Sequence, residues 1–171
     1  SMFPELMILN VSHNNISGVV PSSLCNIGSI EFMDLSNNKF TGEVPSCLFT
    51  DCYAMNILKL SNNTLGGKIF DGASSFSADL WGIYLDNNKF EGTLPRNLSG
   101  NVRIMDLRDN NMSGALDISL WNLPSLEALS LAKNSLTGDI HPEICKYKRI
   151  LLKFIEYMFD TMKMLHVSSV M

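Results

Sequence analysis

The sequence has little that would commit it to chemistry or to a lipid bilayer. Thirteen basic residues stand against 17 acidic ones, a formal charge of −4 over 171 residues. So weak an imbalance gives no support to a nucleic-acid surface or a general anionic-membrane surface. The main basic group, Lys146, Lys148, Arg149 and Lys153, sits close to the end and reads as a solvated flank. Long apolar runs are missing too. Residues 150 to 159 are interrupted by Lys153 and Glu156 and followed by Asp160 and Lys163, too short and too charged to span a bilayer. The opening SMFPELMIL lacks the basic stretch, apolar run and small-residue cleavage site of a signal peptide, and a mature chain would look the same.

Cysteine is scarce. Four in a chain of this size do not make a disulfide scaffold. Cys47 and Cys52 bridge if the intervening LFTD turns back, which would imply an oxidising compartment. Cys25 and Cys145 follow Pro21 and Pro142 in apolar settings and read as buried thiols. The nucleophile, phosphate and metal motifs HExxH, CxxC, GxSxG and GxxxxGK[ST] do not occur. His13, His141 and His166 are far apart with no converging Asp or Cys at ligand spacing, and His141 beside Cys145 is at best half a metal site. Asp34 and Asp106 lie three repeats apart, so paired acid/base work is not expected. No metal, cofactor or catalytic centre is expected.

What the chain does have is repetition. LSNNTL at 60 to 65 has counterparts in VSHNNI at 11, LSNNKF at 35, LDNNKF at 85, LRDNNM at 107 and LAKNSL at 131. Aligned on the last asparagine, the phrases place Asn14, Asn38, Asn63, Asn88, Asn110 and Asn134 at separations of 24, 25, 25, 22 and 24 residues. A period in the twenties belongs to leucine-rich solenoids rather than to the longer helical repeats. Within each unit apolar residues stand two apart, as at Leu58 and Leu60, the period of a short strand with one buried face. A lone strand cannot bury that face, but stacked copies form one parallel sheet over a shared core. Each framework asparagine is expected as a buried turn residue whose amide satisfies backbone groups left unpaired, while the Ser and Asn before it face solvent.

Four positions after each framework asparagine stands a glycine: Gly18, Gly42, Gly67, Gly92, Gly114 and Gly138. That regularity implies a permissive turn or a close approach to the next coil. Pro21, Pro45 and Pro95 follow three residues later and Pro142 four later, which suits a coil or sheet edge. Phe70 and Asp117 stand where proline is expected in two units.

The stretches MDLSNNKFTGEVP at 33 to 45 and LSLAKNSLTGDI at 129 to 140 resemble the plant-type extracellular leucine-rich repeat, and the resemblance runs from residue 6 to about 145. It implies an α/β solenoid with a parallel concave sheet, a right-handed coil and an irregular convex side. It also implies the plant cell surface or apoplast, and recognition of peptides, steroids, partner ectodomains or microbial enzymes. PSSLCNIGSIEFMDLSNNKFTGEVPSCLFTDC most resembles receptor-like proteins, paired cysteines included. The expected role is therefore non-catalytic binding of a protein or peptide ligand, with a receptor kinase coreceptor as a second partner. A secreted inhibitor of a cell-wall-degrading enzyme and a structural repeat scaffold stay open as alternatives, as does a cytosolic location.

The organisation expected is a solenoid of about six repeats over 1–145 and an atypical end over 146–171. There Leu151, Phe154, Ile155, Met158, Phe159, Met162 and Leu165 follow three- and four-residue steps. An amphipathic helix covering the last coil, a membrane or partner helix, and a poorly ordered tail are all open. The sequons at Asn10, Asn15, Asn62, Asn97 and Asn111 are glycan acceptors if the chain enters the secretory route. A glycan on Asn10 would obstruct one end of the concave sheet, whereas Asn15, Asn97 and Asn111 would leave it open.

Strands stacked in register place Asn10, Asp34, Lys59, Tyr84, Asp106 and Ser130 in one outward column and Ile8, Phe32, Ile57, Gly82, Ile104 and Ala128 in its neighbour. Trp81, Arg103, Arg108, Asp109, Glu127 and Lys133 flank them. An aromatic and aliphatic centre with charged edges has the makeup of a protein contact. Phe32, Lys59, Trp81, Tyr84, Arg103, Asp106 and Arg108 are the candidate ligand-binding residues. A bland reading, in which these side chains pack on one another to protect the sheet, stands beside it, above all for Ile8 and Ile57.

Overall fold

The computed structural model describes residues 5–70, 74–94, 98–116 and 124–139. Each of the six phrases lies at the turn between two short strands. The first strand of each unit carries the two-apart apolar pair: β1 (Ile8–Asn10), β3 (Phe32–Asp34), β5 (Ile57–Lys59), β8 (Gly82–Tyr84), β11 (Ile104–Asp106) and β13 (Ala128–Ser130). They form one six-stranded parallel sheet in chain order. Each strand therefore pairs only with the coils before and after it. The middle residue of each strand points inward, and Met33, Leu58, Ile83, Met105 and Leu129 are all buried. Leu35, Leu60, Leu85, Leu107 and Leu131 enter the same core one step later.

A second strand follows each phrase: β2 (Ser17–Val19), β4 (Lys39–Glu43), β6 (Thr64–Lys68), β9 (Lys89–Thr93), β12 (Asn111–Ala115) and β14 (Ser135–Thr137). These too form a six-stranded parallel sheet, which the spacing of the phrases does not reveal. The repeated glycine explains how this second sheet closes. Its Cα stands opposite the bulky apolar residue of the next coil: Gly18 opposite Phe40, Gly42 opposite Leu65, Gly67 opposite Phe90, Gly92 opposite Met112 and Gly114 opposite Leu136. At Gly67, φ is +79° and a Cβ would come within 2.6 Å of Glu43 Cγ. Both the conformation and the approach to the neighbouring coil exclude a side chain there. A two-stranded pair, β7 (Ser74–Ser75) with β10 (Leu98–Ser99), adds a further rung on the outer side.

The turn between the two strands of each unit is held by the framework asparagine. Asn63 Nδ2 donates to the carbonyls of Leu60 and Ser61 in its own coil and of Leu35 in the coil before, while its Oδ1 accepts the N–H of Phe40. Asn38, Asn88, Asn110 and Asn134 repeat the pattern, taking in the N–H groups of Ile16, Leu65, Phe90 and Met112. Asn110 is the most deeply buried, at 7% exposure. Asn14 departs from the expected burial. It belongs to the first coil described and is exposed, and its side-chain amide donates only to the carbonyls of Val11 and Ser12 in its own turn.

The residue before each framework asparagine, His13, Asn37, Asn62, Asn87, Asp109 or Lys133, has φ between 51° and 56°. Asn and Asp tolerate this left-handed conformation better than most side chains, which accounts for the doubled asparagines. The expectation that Ser and Asn before the ladder face solvent fails at Ser36, which is buried and donates to Asp34 through both its N–H and its hydroxyl.

On the outer side a 3₁₀ turn at Ser22–Asn26 and a one-turn helix α1 (Cys47–Thr50) occupy equivalent places in the first two coils. The disulfide runs between them, Cys25 to Cys47, with Cα atoms 5.9 Å apart. The Cys47–Cys52 pairing and the reading of Cys25 as a buried thiol are both corrected. LFTD does not reverse the chain: it is helical, with Asp51 N–H donating to Cys47 O, and it sends Leu48 and Phe49 into the core. Cys47 is left half-buried in α1, bonded to Cys25 of the preceding coil's turn, and Cys52 is a buried free thiol. Phe70, the substitute for proline, meets Phe76 at 6.1 Å, and Phe76 meets Phe49 at 6.0 Å, an aromatic bridge across coils. Asp117, Cys145, Pro142 and the residues of 146–171, with the helix expected there, lie outside the described residues.

Candidate functional site

The first sheet presents three outward columns. Registers across β1, β3, β5, β8, β11 and β13 align Ile8, Phe32, Ile57, Gly82, Ile104 and Ala128, and next to them Asn10, Asp34, Lys59, Tyr84, Asp106 and Ser130. The third column precedes the strands. There the N–H of Trp81 donates to Asn56, that of Arg103 to Trp81 and that of Glu127 to Arg103. Six of the seven candidate binding residues thus lie on one face, and Arg108, just after β11, joins them through Asp106.

That face divides into two parts. Toward the last coils it is a set of ion pairs. Asp106 receives Arg108 through Nε and Nη2, the closest contact 2.6 Å, and the same carboxylate accepts the Arg108 backbone N–H. Arg103 stands 3.7 Å from Glu127, and Lys133 3.2 Å from Asp109. The Arg108 pair is the most enclosed of the three, and its forked geometry fixes both partners. Arg103 is exposed, and its pair contributes little to stability.

The middle of the face is aromatic and carries a single ammonium. Lys59 Nζ lies 5.6 Å from the centre of the Phe32 ring and 5.3 Å from that of Tyr84. Both rings present the electron-rich environment a cation favours. Burial, and then the nearby Asp106 carboxylate, push the Tyr84 phenol above its ordinary range, so it is a neutral hydrogen-bonding group at physiological pH. Trp81 is half-buried beside them.

Sequence reasoning missed the part played by Gly82. A Cβ there would meet Ile57 Cγ1 at 3.3 Å and Tyr84 Cε2 at 3.4 Å. The missing side chain lets the Tyr84 ring and the Ile57 side chain close over the buried glycine. The glycine in an otherwise aliphatic column was the signal.

Toward the first coil, Ile8 is 64% and Met7 51% exposed, so neither protects the sheet by packing. Asn10 ends β1, where its Oδ1 accepts from Ser12 N–H and hydroxyl. Of the other sequons, Asn15 and Asn62 lie in or beside the turns and Asn111 opens β12, all exposed; Asn97 is outside the described residues. Among the described residues no group of three or more His, Cys, Asp or Glu is placed to hold a metal ion, and no helix is long and apolar enough to cross a membrane.

The period, the asparagine ladder and the two parallel sheets meet a matching family model: the Leucine Rich Repeat model covers residues 5–27, 29–50 and 125–147. Receptor-like protein 35 of Arabidopsis thaliana is 33% identical over 150 residues, 86% of this chain. The chain belongs to the plant leucine-rich repeat family. It spans 16% of the length of that receptor-like protein. Among solved leucine-rich repeat structures, it superposes on the plant peptide hormone receptor RGFR1, in complex with RGF2, with a TM-score of 0.75 and 27% identity, covering 85% of this chain and 23% of the other. The Arabidopsis receptor kinase HAESA, in complex with the peptide hormone IDA and the co-receptor SERK1, gives a TM-score of 0.65 and 26% identity over 86% of this chain and 28% of that one.

Proposed function

We propose that this leucine-rich repeat segment binds a protein or peptide ligand on its first sheet, as part of the extracellular portion of a plant receptor-like protein in signalling or defence, and that it performs no catalysis. The observation that carries the reading is the convergence of Phe32 and Tyr84 around Lys59 on one strand-paired face, with Trp81 in the adjoining column and an ion-paired margin beyond. Buried aromatic anchors ringed by polar groups are where binding energy concentrates in protein interfaces. The solved structures of RGFR1 with RGF2 and of HAESA with IDA and SERK1 support a peptide as ligand and a receptor kinase as a second partner. The setting proposed is the outer face of the plasma membrane.

The test is a selection of displayed peptides against the full chain secreted from plant cells. Binders recovered by the parent should lose affinity by about thirtyfold or more with Trp81→Ala or Tyr84→Ala, the range of an anchor residue. Melting curves should show both variants folded. Binders that hold to these variants as tightly as to the parent, or that protect the second sheet from hydrogen exchange, remove the assignment.

A further inference from the structure

Among the described residues four cations lie on or beside the first sheet, and three are already committed. Arg108 is held by Asp106, Arg103 faces Glu127 and Lys133 faces Asp109. Lys59 differs: among the described residues its ammonium has no carboxylate partner and no hydrogen-bond acceptor. Two aromatic rings hold it instead, neither of which satisfies an N–H the way an oxygen does. An ammonium carries three donors. Half-buried between rings that exclude part of its water, it would gain from an oxygen anion more than a fully solvated lysine would.

The surroundings restrict what brings that anion. Beside Lys59, Gly82 stands in register between Ile57 and Ile104 and is buried, with the Ile57 side chain and the Tyr84 ring closing over it. Gly82 is not among the residues with positive φ, so the backbone does not require glycine there, and its smallness lets the Ile57 side chain and the Tyr84 ring pack close over the strand. The apolar column continues past Gly82 in both directions, through Ile57 to Phe32 on one side and to Ile104 on the other. An occupant that covers this column must run on from Lys59 both ways. Its carboxylate is then a side chain within the segment rather than a chain end. The Asp106–Arg108 pair stands two strands farther on, roughly 10 Å at the usual strand separation, which an extended segment covers in about three residues.

Building on the recognition role proposed above, we infer that Lys59, framed by Phe32 and Tyr84, is a carboxylate-reading subsite for an Asp or Glu side chain inside an extended, otherwise apolar partner segment. Lys59 is then the residue that sets specificity, and Trp81 an anchor that serves any sequence.

The test uses eight-residue segments displayed with both ends fused, so that only side chains supply carboxylates. The parent chain should enrich one acidic position flanked by apolar residues. Lys59→Met should abolish that enrichment, Lys59→Arg should keep it, and Lys89→Met, an exposed cation of the second sheet, should leave it unchanged. For one selected segment made as an acetylated, amidated peptide, changing its Glu to Gln should weaken binding to the parent by about tenfold, the scale of one charge-assisted hydrogen bond. The same change should leave binding to Lys59→Met unaltered. Enrichment without an acidic position, combined with a loss on Trp81→Ala, overturns the subsite and leaves the recognition face standing. Binders indifferent to both Lys59 and Trp81, or no enrichment at all, overturn the face and the subsite together.

Discussion

Asn110 and Asn14 hold the same place in the repeat but are embedded differently. The Asn110 amide is buried and serves Leu85, Leu107 and Arg108 carbonyls and the Phe90 N–H. Asn110→Ala strands these groups away from water, and an unfolding midpoint in urea should report a loss of about 3 kcal/mol. Asn14→Ala removes two bonds in an exposed turn and should cost less than about 1 kcal/mol. Equal losses at the two positions would show that the side chain acts within its own turn, not between coils. A second residue-scale effect concerns Cys52. Burial, and then the neighbouring Asp51 charge, raise its thiol pKa, so the folded state keeps the proton that the unfolded state releases. Below the ordinary thiol range, near pH 8.5, both states are protonated and stability is unaffected. As pH climbs from there toward the folded pKa the unfolded state is favoured, so stability falls. The fall between pH 8 and 9.5 should be shallower in Cys52→Ala, whatever that variant loses at neutral pH.

At the scale of elements, the Cys25–Cys47 bond fastens a 3₁₀ turn of one coil to α1 of the next across 22 residues. Cys25→Ser with Cys47→Ser frees that loop in the unfolded chain and should lower stability by about 3 kcal/mol, read from urea unfolding with and without reductant. The first sheet was legible because its signal is local: two apolar residues two apart, then asparagine, repeated six times. Both outward columns follow from that register. The second sheet was not legible, since β4, β6, β9 and β12 each contain a glycine opposite a neighbour's bulky residue, and glycine lowers strand propensity. What makes them strands is the coil alongside, a contact that no single repeat contains. The cysteine pairing failed for a related reason. Sequence distance favoured Cys52, whereas stacking places Cys47 next to a residue one coil away. Phe70 read as a lapse from proline because its ring partner Phe76, six residues on in the same coil, meets Phe49 of the coil before, a contact that spacing does not contain.

The molecule as a whole is a linear array in which each coil meets only its neighbours, and stability should be distributed accordingly. Amide hydrogens of Leu58, Ile83 and Met105, flanked by coils on both sides, should exchange more slowly by tenfold or more than that of Leu9, at whose coil Met7, Ile8 and Val19 are exposed. Uniform protection along the chain would instead mean one cooperative unit with no weaker end. The recognition face was legible in its position and only partly in its chemistry: the columns could be counted off, but which cations were already engaged depends on side-chain directions that spacing does not contain. The ladder carries one last implication. Since every asparagine from Asn38 onward takes an acceptor from the coil behind it and offers the next coil the same carbonyl set, both ends of any coil are interchangeable couplings. Duplicating or deleting a whole unit leaves two compatible ends facing each other, so genes of this design are free to lengthen, shorten and reshuffle their binding surfaces without inventing a new core.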